Sequence, residues 1–376
     1  MLLGAMKVAQ SATGKGPQIV SVEMQQSAEF AATLLEASAP GFAGMASSLL
    51  LERHPEFKAV WGEDASSRWK KHLQQRLLEL AAAIRVGEPA LFVSRVQWTA
   101  RAFIAREAPL ESVVRGLGCL RDILAERWPE PGRDIALSYL DQGAKGVGLA
   151  ATAESSALRG SAPETRLALR YLAAGLDGRT RAAEDLVLEA VDSGLDPRAA
   201  YLEVLLPAQV EVGRLWHDGE IGIAEERVLT GTTQRILPQL ARRLQPAAER
   251  GLTAITAAVR GNTHDIAMRV VSDLLEADGW RTVFLGPDVP PGEVQRAAEY
   301  FDGRLVVLSA ALTTQLGDLE ETINALRGMP DNGPRIIVGG LALDGAPDLW
   351  RRLGADAYSA SIDGLLDTAA DLFPAK

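Results

Sequence analysis

The sequence holds a single cysteine, Cys119, among 376 residues. One cysteine excludes an internal disulfide, makes a cysteine-based zinc site implausible, and fits the reducing environment of the cytoplasm. Positive charge is also scarce, since 39 Lys and Arg stand against 49 Asp and Glu and give a formal net charge of -10. Phosphate binding needs clustered Lys and Arg, and no helix-turn-helix with a basic recognition helix is present. We therefore expect no direct contact with nucleic acid.

Long apolar runs are missing as well. No uninterrupted apolar stretch is long enough to cross a bilayer, and the apolar run within residues 1–10 is too short for a secretory signal, so no membrane contact is expected. Residues 1–25 are rich in Ser, Gly and Gln. They are predicted to form a flexible leader.

The chain length predicts about two or three domains. Over residues 26–150 apolar side chains recur at helical spacing, for example along Trp69–Ile84 and Leu91–Ile104, and Pro109 is placed to open a further helix. We predict an all-helical domain over this range. The Ser, Ala and Gly residues of Ala151–Pro163 predict a linker after it.

A second helical region is predicted over residues 164–248. Its periodicity indicates helices at Arg166–Ala174, Thr180–Ser193, Pro197–Trp216 and Ile223–Leu244. Short connections make neighbouring helices antiparallel, so a four-helix bundle is expected. Pro207 should kink the third of these helices.

Residues 252–376 alternate between strand and helix patterns. The predicted strands are Leu252–Val259, Thr282–Leu285, Leu305–Leu308, Arg335–Val338 and Ala355–Tyr358. The predicted helices are Ile266–Leu275, Pro291–Tyr300, Leu316–Gly328, Pro347–Leu353 and Ile362–Leu372. Five such units predict a parallel, doubly wound α/β sheet with right-handed crossovers, so the whole chain is expected to be mostly α plus α/β. No Gly-x-Gly-x-x-Gly fingerprint of a dinucleotide site follows the first strand.

The candidate site centres on Gly261–Ala267, which joins the first strand to the next helix. His264 therefore falls at the carboxyl edge of the sheet, where open α/β sheets bind ligands, and Asp288–Pro290 is expected at the same edge. An imidazole there can ligate a metal if its second nitrogen is held by an acceptor, which Asn262 or Asp265 can supply. The alternative is a surface-loop histidine without a ligand.

Two spacings favour a ligand. After the His264 motif, 41 residues precede Ser309, and 27 residues separate the following Ser-x-x segment from Gly339-Gly340. The sequence thus resembles the cobalamin-binding domain family, whose signature is Asp-x-His-x-x-Gly, then Ser-x-Leu, then Gly-Gly. The resemblance implies that His264 is the lower axial ligand of cobalt, in place of the cofactor's dimethylbenzimidazole. It also implies a slot for the displaced nucleotide tail, lined by the serine and the two glycines.

The resemblance implies a set of cobalamin-contacting residues in the sheet domain: Asn262, Thr263, His264, Asp265, Ile266, Ser309, Leu312, Gly339 and Gly340. Three positions depart from the signature. Asn262 replaces the aspartate, and a neutral acceptor raises the basicity of histidine less than a carboxylate does. Ala267 replaces the glycine and adds a methyl group where the tail enters, and Ala311 replaces the leucine beside Leu312. These departures leave open a scaffold that has lost cobalamin.

The bundle resembles the helical cap that precedes the cobalamin domain in methyltransferases and light-responsive repressors. In those repressors a tryptophan is followed, ten residues on, by a Glu-His pair, and these residues cover the upper face of the cofactor. Trp216 and Glu226 match the pattern, whereas Arg227 stands in place of the histidine. The alternatives are a core tryptophan and an acidic residue that serves a helix dipole.

Residues 92–120 resemble the globin-like sensor domains of bacterial regulators, and their combination with a cobalamin module resembles the photocobilins, which pair cobalamin with biliverdin. The resemblance suggests that Arg95, Arg101 and Arg121 meet the propionates of the bilin and that Trp98 and Phe103 line a pocket for its rings. A covalent tether at Cys119 is not expected, because a thiol inside an apolar helix is more often a core residue. The alternative is a packing or dimerisation module, because amphipathic stripes more often form a core than a pocket.

No segment is long enough for the substrate-holding barrel of about 250 residues that cobalamin enzymes use, so we do not expect an enzyme. The resemblances favour a cobalamin-binding light sensor in which photolysis of adenosylcobalamin changes domain packing or oligomeric state. Its expected partners are further copies of the chain, as in a homodimer, or a downstream signalling protein. The alternative is a corrinoid methyl carrier of a methyltransferase system, which shares the bundle, the sheet and the histidine.

Overall fold

The structure is a computed structural model that describes residues 17–130, 132–150, 156, 158–330, 333–346 and 348–374, with side chains from residue 27 onward. The predictions for residues 1–16, for 151–155 and 157 of the linker and for Pro347 fall outside the described residues. Helix α1 begins at Pro17, so residues 17–25 of the predicted leader are helical. Proline suits the first turn of a helix because its φ is preset and no N–H bond is needed there.

The first helices form the front domain, by which we mean α1 to α6. They are α1 (Pro17–Arg53), α2 (Glu56–Trp61), α3 (Ala65–Arg85), α4 (Pro89–Ala105), α5 (Leu110–Arg127) and α6 (Gly132–Val147). In α3, Leu73, Leu77, Leu80 and Ile84 recur at helical spacing and are all buried. The all-helical prediction for this region agrees with the structure, whereas the globin-like resemblance stays a prediction.

By length and composition alone, Ser27–Arg53 of α1 is apolar enough to cross a membrane, although no uninterrupted apolar run of that length lies in it. The same helix packs along α3 and α5. Its buried side chains follow one face, at Ala32, Leu35, Ala39, Ala43, Ala46 and Leu50. A helix that packs in a core passes the same composition test, and α1 buries one face in this way.

The next helices form the bundle. They are α7 (Pro163–Leu176), α8 (Thr180–Asp192), α9 (Pro197–Ala199), α10 (Leu206–Asp218) and α11 (Ile223–Ala241). A π-helical stretch, Ala200–Leu205, joins α9 to α10. Pro207 follows it in the first turn of α10. Because proline has no N–H for the carbonyl one turn earlier, the helix is irregular just before it, which accounts for the predicted interruption.

The C-terminal part is a parallel sheet of β1 to β5 between layers of helices. The strands are β1 (Thr253–Val259), β2 (Arg281–Val289), β3 (Gly303–Ser309), β4 (Arg335–Gly339) and β5 (Ala357–Ser359). The helices are α12 (Ile266–Ala277), α13 (Pro291–Tyr300), α14 (Leu316–Arg327), α15 (Leu349–Arg352) and α16 (Ile362–Leu372). The strand order is β2-β1-β3-β4-β5, and every pairing is parallel. The predicted mostly α plus α/β class, with a doubly wound sheet, is confirmed.

The two faces of the sheet belong to two different hydrophobic cores. Side chains alternate along a strand, so Ile255 and Ala257 of β1 join the first core, while Ala254 joins the second. The first core also contains α13, α14 and most buried residues of the front domain. The second contains α12, α16 and the bundle. The front domain and the bundle therefore pack on opposite sides of the sheet.

Candidate functional site

His264 lies in the loop between β1 and α12, at the carboxyl edge of the sheet. β1 is buried along its whole length and pairs with β3 on one side and β2 on the other, which fixes where the loop begins. The direction of the strand order changes between β1 and β3, and ligands bind above the strand ends at such a switch point. The His264 side chain is exposed at this edge, so it is accessible to a ligand.

The fully buried Asn262 holds His264 in place. Its Oδ1 accepts a hydrogen bond from the backbone N–H of His264 at 3.0 Å and lies 3.2 Å from the ring Nδ1. Because an amide oxygen can only accept, the ring proton sits on Nδ1 and the lone pair on Nε2. Asn262 is thus the acceptor beside the ring, and Asp265 precedes the first turn of α12 instead. The imidazole is presented in the form that ligates a metal.

Two further side chains fix the loop. The buried amide of Gln315 donates from Nε2 to the carbonyl of Gly261 at 2.9 Å. Its Oε1 accepts from the backbone N–H groups of Ala311 at 2.8 Å and Leu312 at 3.0 Å. From the other side, Asp288 Oδ1 accepts from the Gly261 N–H at 2.6 Å, which agrees with its predicted place at this edge. The loop after β1 is therefore tied to the end of β2 and to the turn after β3.

The predicted tail-slot residues lie at the ends of β3 and β4. Ser309 is the last residue of β3 and is 9% exposed, and its carbonyl accepts from Asn262 Nδ2 at 3.0 Å. Beyond the strand ends, the apolar side chains of Leu312 and Leu341 are 40% and 65% exposed. Thr263 is exposed, and Ile266, the first residue of α12, packs partly against the second core.

The paired glycines have a role in the packing of the chain itself. Gly340 has a φ of +102°, and a Cβ there would lie 2.2 Å from the carbonyl oxygen of Ala310. A Cβ on Gly339 would lie 3.1 Å from the carbonyl oxygen of Ser359. Since β3, β4 and β5 end this close together, only glycine fits without displacement at Gly340. That the pair also admits a nucleotide tail stays a prediction.

A single histidine suits a metal that brings its other ligands with it. Among the described residues, no three His, Cys, Asp or Glu side chains come together as a metal site. A corrin supplies its own ring nitrogens to cobalt and needs from the protein one axial donor and apolar surface. His264 Nε2 offers the donor, and Leu312 and Leu341 offer exposed apolar surface at the same edge. The residues present therefore fit a cobalamin.

The predicted upper-face residues lie at one end of the bundle. Trp216, in the last turn of α10, is 41% exposed, which the core alternative for this residue does not predict. Glu226, in the first turn of α11, is half-buried and accepts from the Thr230 hydroxyl at 2.9 Å. The turn between α10 and α11 brings the two residues to the same end, and Arg227 beside them is exposed.

No sequence pattern predicts the contact that the front domain makes with this end of the bundle. The ring of His217 stacks on Trp98 of α4, with ring centroids 3.7 Å apart. Arg106, at the end of α4, donates to the backbone carbonyls of Trp216 and His217. These partners are more than one hundred residues apart in the chain, and neither charge nor periodicity marks them as neighbours.

The residues predicted for a bilin do not converge on one point. Arg121 pairs with Asp141 at 2.6 Å on the surface, and Arg95 lies over the Trp98 ring with its Cζ 5.6 Å from the centroid. Phe103 belongs instead to an aromatic cluster with Trp61, Trp69 and His72, which we call the aromatic cluster of the front domain. Arg101 is half-buried in α4.

Cys119 is buried in α5, and burial raises the pKa of its thiol. A protonated, buried thiol is a poor nucleophile, so the structure favours a core residue over a tether at this position.

Known families match the bundle and the sheet. Residues 252–362 match a family described as the B12 binding domain, and residues 167–241 match a second family of the same description. Neither range includes the front domain. The two matches support cobalamin binding by this chain, in the region where His264, Ser309 and the glycine pair lie.

Individual relatives cover the same half of the chain. Dimethylamine corrinoid protein 1 of Methanosarcina acetivorans is 26% identical over 198 residues, which is 50% of this chain and 91% of that protein. The HTH-type transcriptional repressor CarH of Myxococcus xanthus is 27% identical over 178 residues, 47% of this chain and 58% of the repressor. The structure of the Methanosarcina barkeri monomethylamine corrinoid protein superposes with a TM-score of 0.50 at 22% identity, over 56% of this chain and 100% of that one. This structural similarity concerns the fold alone.

Proposed function

We propose that this chain, which its matched domains place among the cobalamin-binding proteins, is a light sensor that uses adenosylcobalamin. Adenosylcobalamin absorbs visible light and loses its adenosyl group. The observation that carries the proposal is the continuous first core, in which the front domain and one face of the sheet pack together. A change at the sheet edge therefore has a packed route to a domain that neither family match includes.

In this proposal the chain holds the cofactor from two sides. His264 supplies Nε2 to cobalt from below, and Asn262 fixes the ring that does so. Trp216 and Glu226 of the bundle cover the side that carries the adenosyl group. The bundle is the element that responds, because it contacts that group in only one of the two states.

The bundle meets the sheet domain through one buried polar contact that suits such a response. The Tyr201 hydroxyl lies 3.0 Å from Asp273 Oδ2 on α12 and 2.9 Å from the carbonyl oxygen of Leu237. Burial raises the pKa of Asp273 to about 6, so this carboxyl group changes its protonation state within about one pH unit of neutrality. An exposed ion pair joins Arg198 of the bundle to Asp363 of α16 at 3.1 Å. The buried side chains that otherwise pack the bundle against the sheet domain are largely apolar, and apolar surfaces slide more readily than a network of directed bonds.

The output of the sensor belongs to the proposal as well. The similarity to a transcriptional repressor favours regulation over catalysis, and we assign the chain no enzymatic activity. With a net charge of -10, output through direct nucleic-acid contact is disfavoured. We propose instead a change of homo-oligomeric state, such as a dimer, or contact with a downstream signalling protein in the cytoplasm.

Biliverdin as a second chromophore extends the proposal to the front domain. In the aromatic cluster, ring centroids lie 5.9 Å apart for Trp61 and Trp69 and 5.1 Å apart for Trp69 and His72. The buried Nε1 groups of both tryptophans have no hydrogen-bond partner among the described residues. Such N–H groups suit the carbonyl oxygens of a bilin. If the protein does not shift the absorption band of added biliverdin, the front domain does not bind it. The cobalamin proposal does not depend on that result.

The test is the absorption spectrum of the protein with adenosylcobalamin in the dark and after green light, for wild type, His264→Ala and His54→Ala. His54 is a matched control because it lies outside the sheet domain and contacts Glu56. We expect a bound spectrum that converts on illumination in wild type and His54→Ala and is altered in His264→Ala. Size-exclusion profiles should shift with light. Bound cofactor with identical dark and light profiles would contradict the sensor.

A corrinoid methyl carrier is the second candidate. It is favoured by the alignment that covers 91% of a dimethylamine corrinoid protein. A carrier has the same bundle, sheet and histidine, but it has no use for a front domain that shares a core with the sheet. Cobalamin bound through His264 without any light-dependent change in size or domain packing would make the carrier the better description.

A further inference from the structure

The front domain reaches the end of α10 through one arginine. Arg106 follows the last residue of α4 and donates from Nη2 to the carbonyl oxygen of Trp216 at 3.0 Å and from Nη1 to that of His217. The last carbonyls of a helix have no partners within the helix, and a guanidinium presents several donors in a fixed plane. Arg106 thus caps α10 from another domain, at the turn that carries Trp216.

An aromatic stack supports the same turn. The imidazole of His217 lies on the indole of Trp98 with an interplanar angle of 27°, and its Nε2 is 3.0 Å from the Trp98 carbonyl oxygen. Since a carbonyl only accepts, Nε2 carries a proton. Burial lowers the pKa of His217, so the ring is neutral near pH 7. His217 is committed to this junction and not to the cofactor side.

The shape of α10 is matched to Arg106. Gly219 ends α10 with a φ of +79°, and a Cβ there would lie 3.0 Å from Arg106 Nε and 3.3 Å from Cγ. The left-handed cap alone favours glycine, and the guanidinium then occupies the space beside it. Capping bonds, a ring stack and a fitted glycine therefore meet at one junction, which we call the α4–α10 junction.

We infer that Arg106 and Trp98 are positioning residues for Trp216, and that the front domain thereby sets which upper ligand the cobalamin site accepts. The inference rests on the proposed place of Trp216 above the cofactor. Trp216 is adjacent to His217, and its own carbonyl is held by Arg106, so its backbone cannot shift without breaking the junction. A bulky adenosyl group would contact Trp216, whose position the junction holds, whereas a water ligand would be too small to reach it.

The test compares Arg106→Ala with Arg115→Ala, a matched arginine of α5 whose exposed side chain pairs with Glu111 of the same helix. Affinities for adenosylcobalamin and aquocobalamin are measured in the dark. We expect Arg106→Ala to lower the preference for adenosylcobalamin over aquocobalamin by about tenfold, because two charge-assisted bonds are lost. Arg115→Ala should leave the preference unchanged. Arg106→Lys, with one donor group in place of a planar fork, should give an intermediate value.

A second readout needs no cofactor. In the cofactor-free protein, hydrogen exchange in the last turn of α10 should be faster in Arg106→Ala than in wild type or Arg115→Ala. If Arg106→Ala binds both cobalamins with the wild-type affinity ratio, or exchanges as slowly as wild type, the inference is wrong, and the light-sensor proposal is unaffected. If Arg106→Ala lowers the affinity ratio but light changes neither the size nor the domain packing of the wild-type protein, the inference is supported and the light-sensor proposal is wrong. Wild-type protein that binds neither cobalamin overturns both.

Discussion

Replacing Asn262 by alanine tests how far the loop geometry controls cobalt ligation. The buried Asn262 side chain contacts both the N–H and Nδ1 of His264 through Oδ1, and it donates to the carbonyl of Ser309 at 3.0 Å. Alanine removes all three contacts. Loss of the group that orients a metal-bound histidine weakens metal binding by roughly 10- to 100-fold, and one buried group left without its partner costs about 1–3 kcal/mol of stability. We expect both effects in Asn262→Ala.

The dissociation constant is measured by titrating aquocobalamin and following its absorption, with Asn324→Ala as the control because that asparagine is exposed on α14. Asn262→Asp separates the two roles of the amide. A carboxylate is the stronger acceptor for the ring N–H, but it cannot donate to Ser309 and places two oxygens about 3 Å apart. We expect it to bind cobalamin more weakly than wild type at pH 8. Wild-type affinity in Asn262→Ala would refute the orienting role.

Two further predictions concern stability. Gly340→Ala forces a Cβ to within 2.2 Å of the Ala310 carbonyl oxygen, so the free energy of urea-induced unfolding should fall by about 2 kcal/mol or more. The control is Gly345→Ala, where φ is also positive at +87° but nothing lies within 4 Å of the added Cβ, so the loss should be smaller. Equal losses in the two variants would contradict the clash at Gly340. Burial raises the pKa of Asp273 from 3.8 to about 6, so the stability from its protonated form is complete below pH 3.8 and is lost as the pH rises through 6. Asp273→Asn keeps a neutral partner for Tyr201 and should gain roughly 2 kcal/mol relative to wild type between pH 4 and pH 7, allowing for partial screening; parallel pH profiles of thermal unfolding would contradict this.

Local patterns were sufficient for most of the fold. The buried run ending at Val259 and the amphipathic helix after it predicted the βα unit that places His264, because strand and helix periods are properties of adjacent residues. The strands β2, β3 and β4 extend beyond their predicted ranges, most of all Arg281–Val289, whose polar end carries little strand signal. The last strand, Ala357–Ser359, is instead shorter than its predicted range, Ala355–Tyr358. The π-helical Ala200–Leu205 leaves no periodic trace of its own beyond the proline that follows.

The contacts that complete the site were not predictable in the same way. From the sequence, Asn262 and Asp265 are equally good candidates for the acceptor beside the ring of His264, and only the backbone path of the loop distinguishes them. Gln315 and Arg106 act on residues 54 and 110 positions away. Their side chains are ordinary on helical or turn segments, and their roles follow from which strand ends and helix ends meet in the folded chain.

The division of the two cores has a consequence for synthesis of the chain. One face of α3 packs on the turn Thr313–Gln315 and on α14, and Arg352 donates to the carbonyl of Val86. These partners leave the ribosome long after the front domain does. An apolar face of the nascent front domain therefore stays exposed to solvent while the bundle and most of the sheet are synthesised. Exposed apolar surface of this kind makes multidomain chains dependent on chaperones.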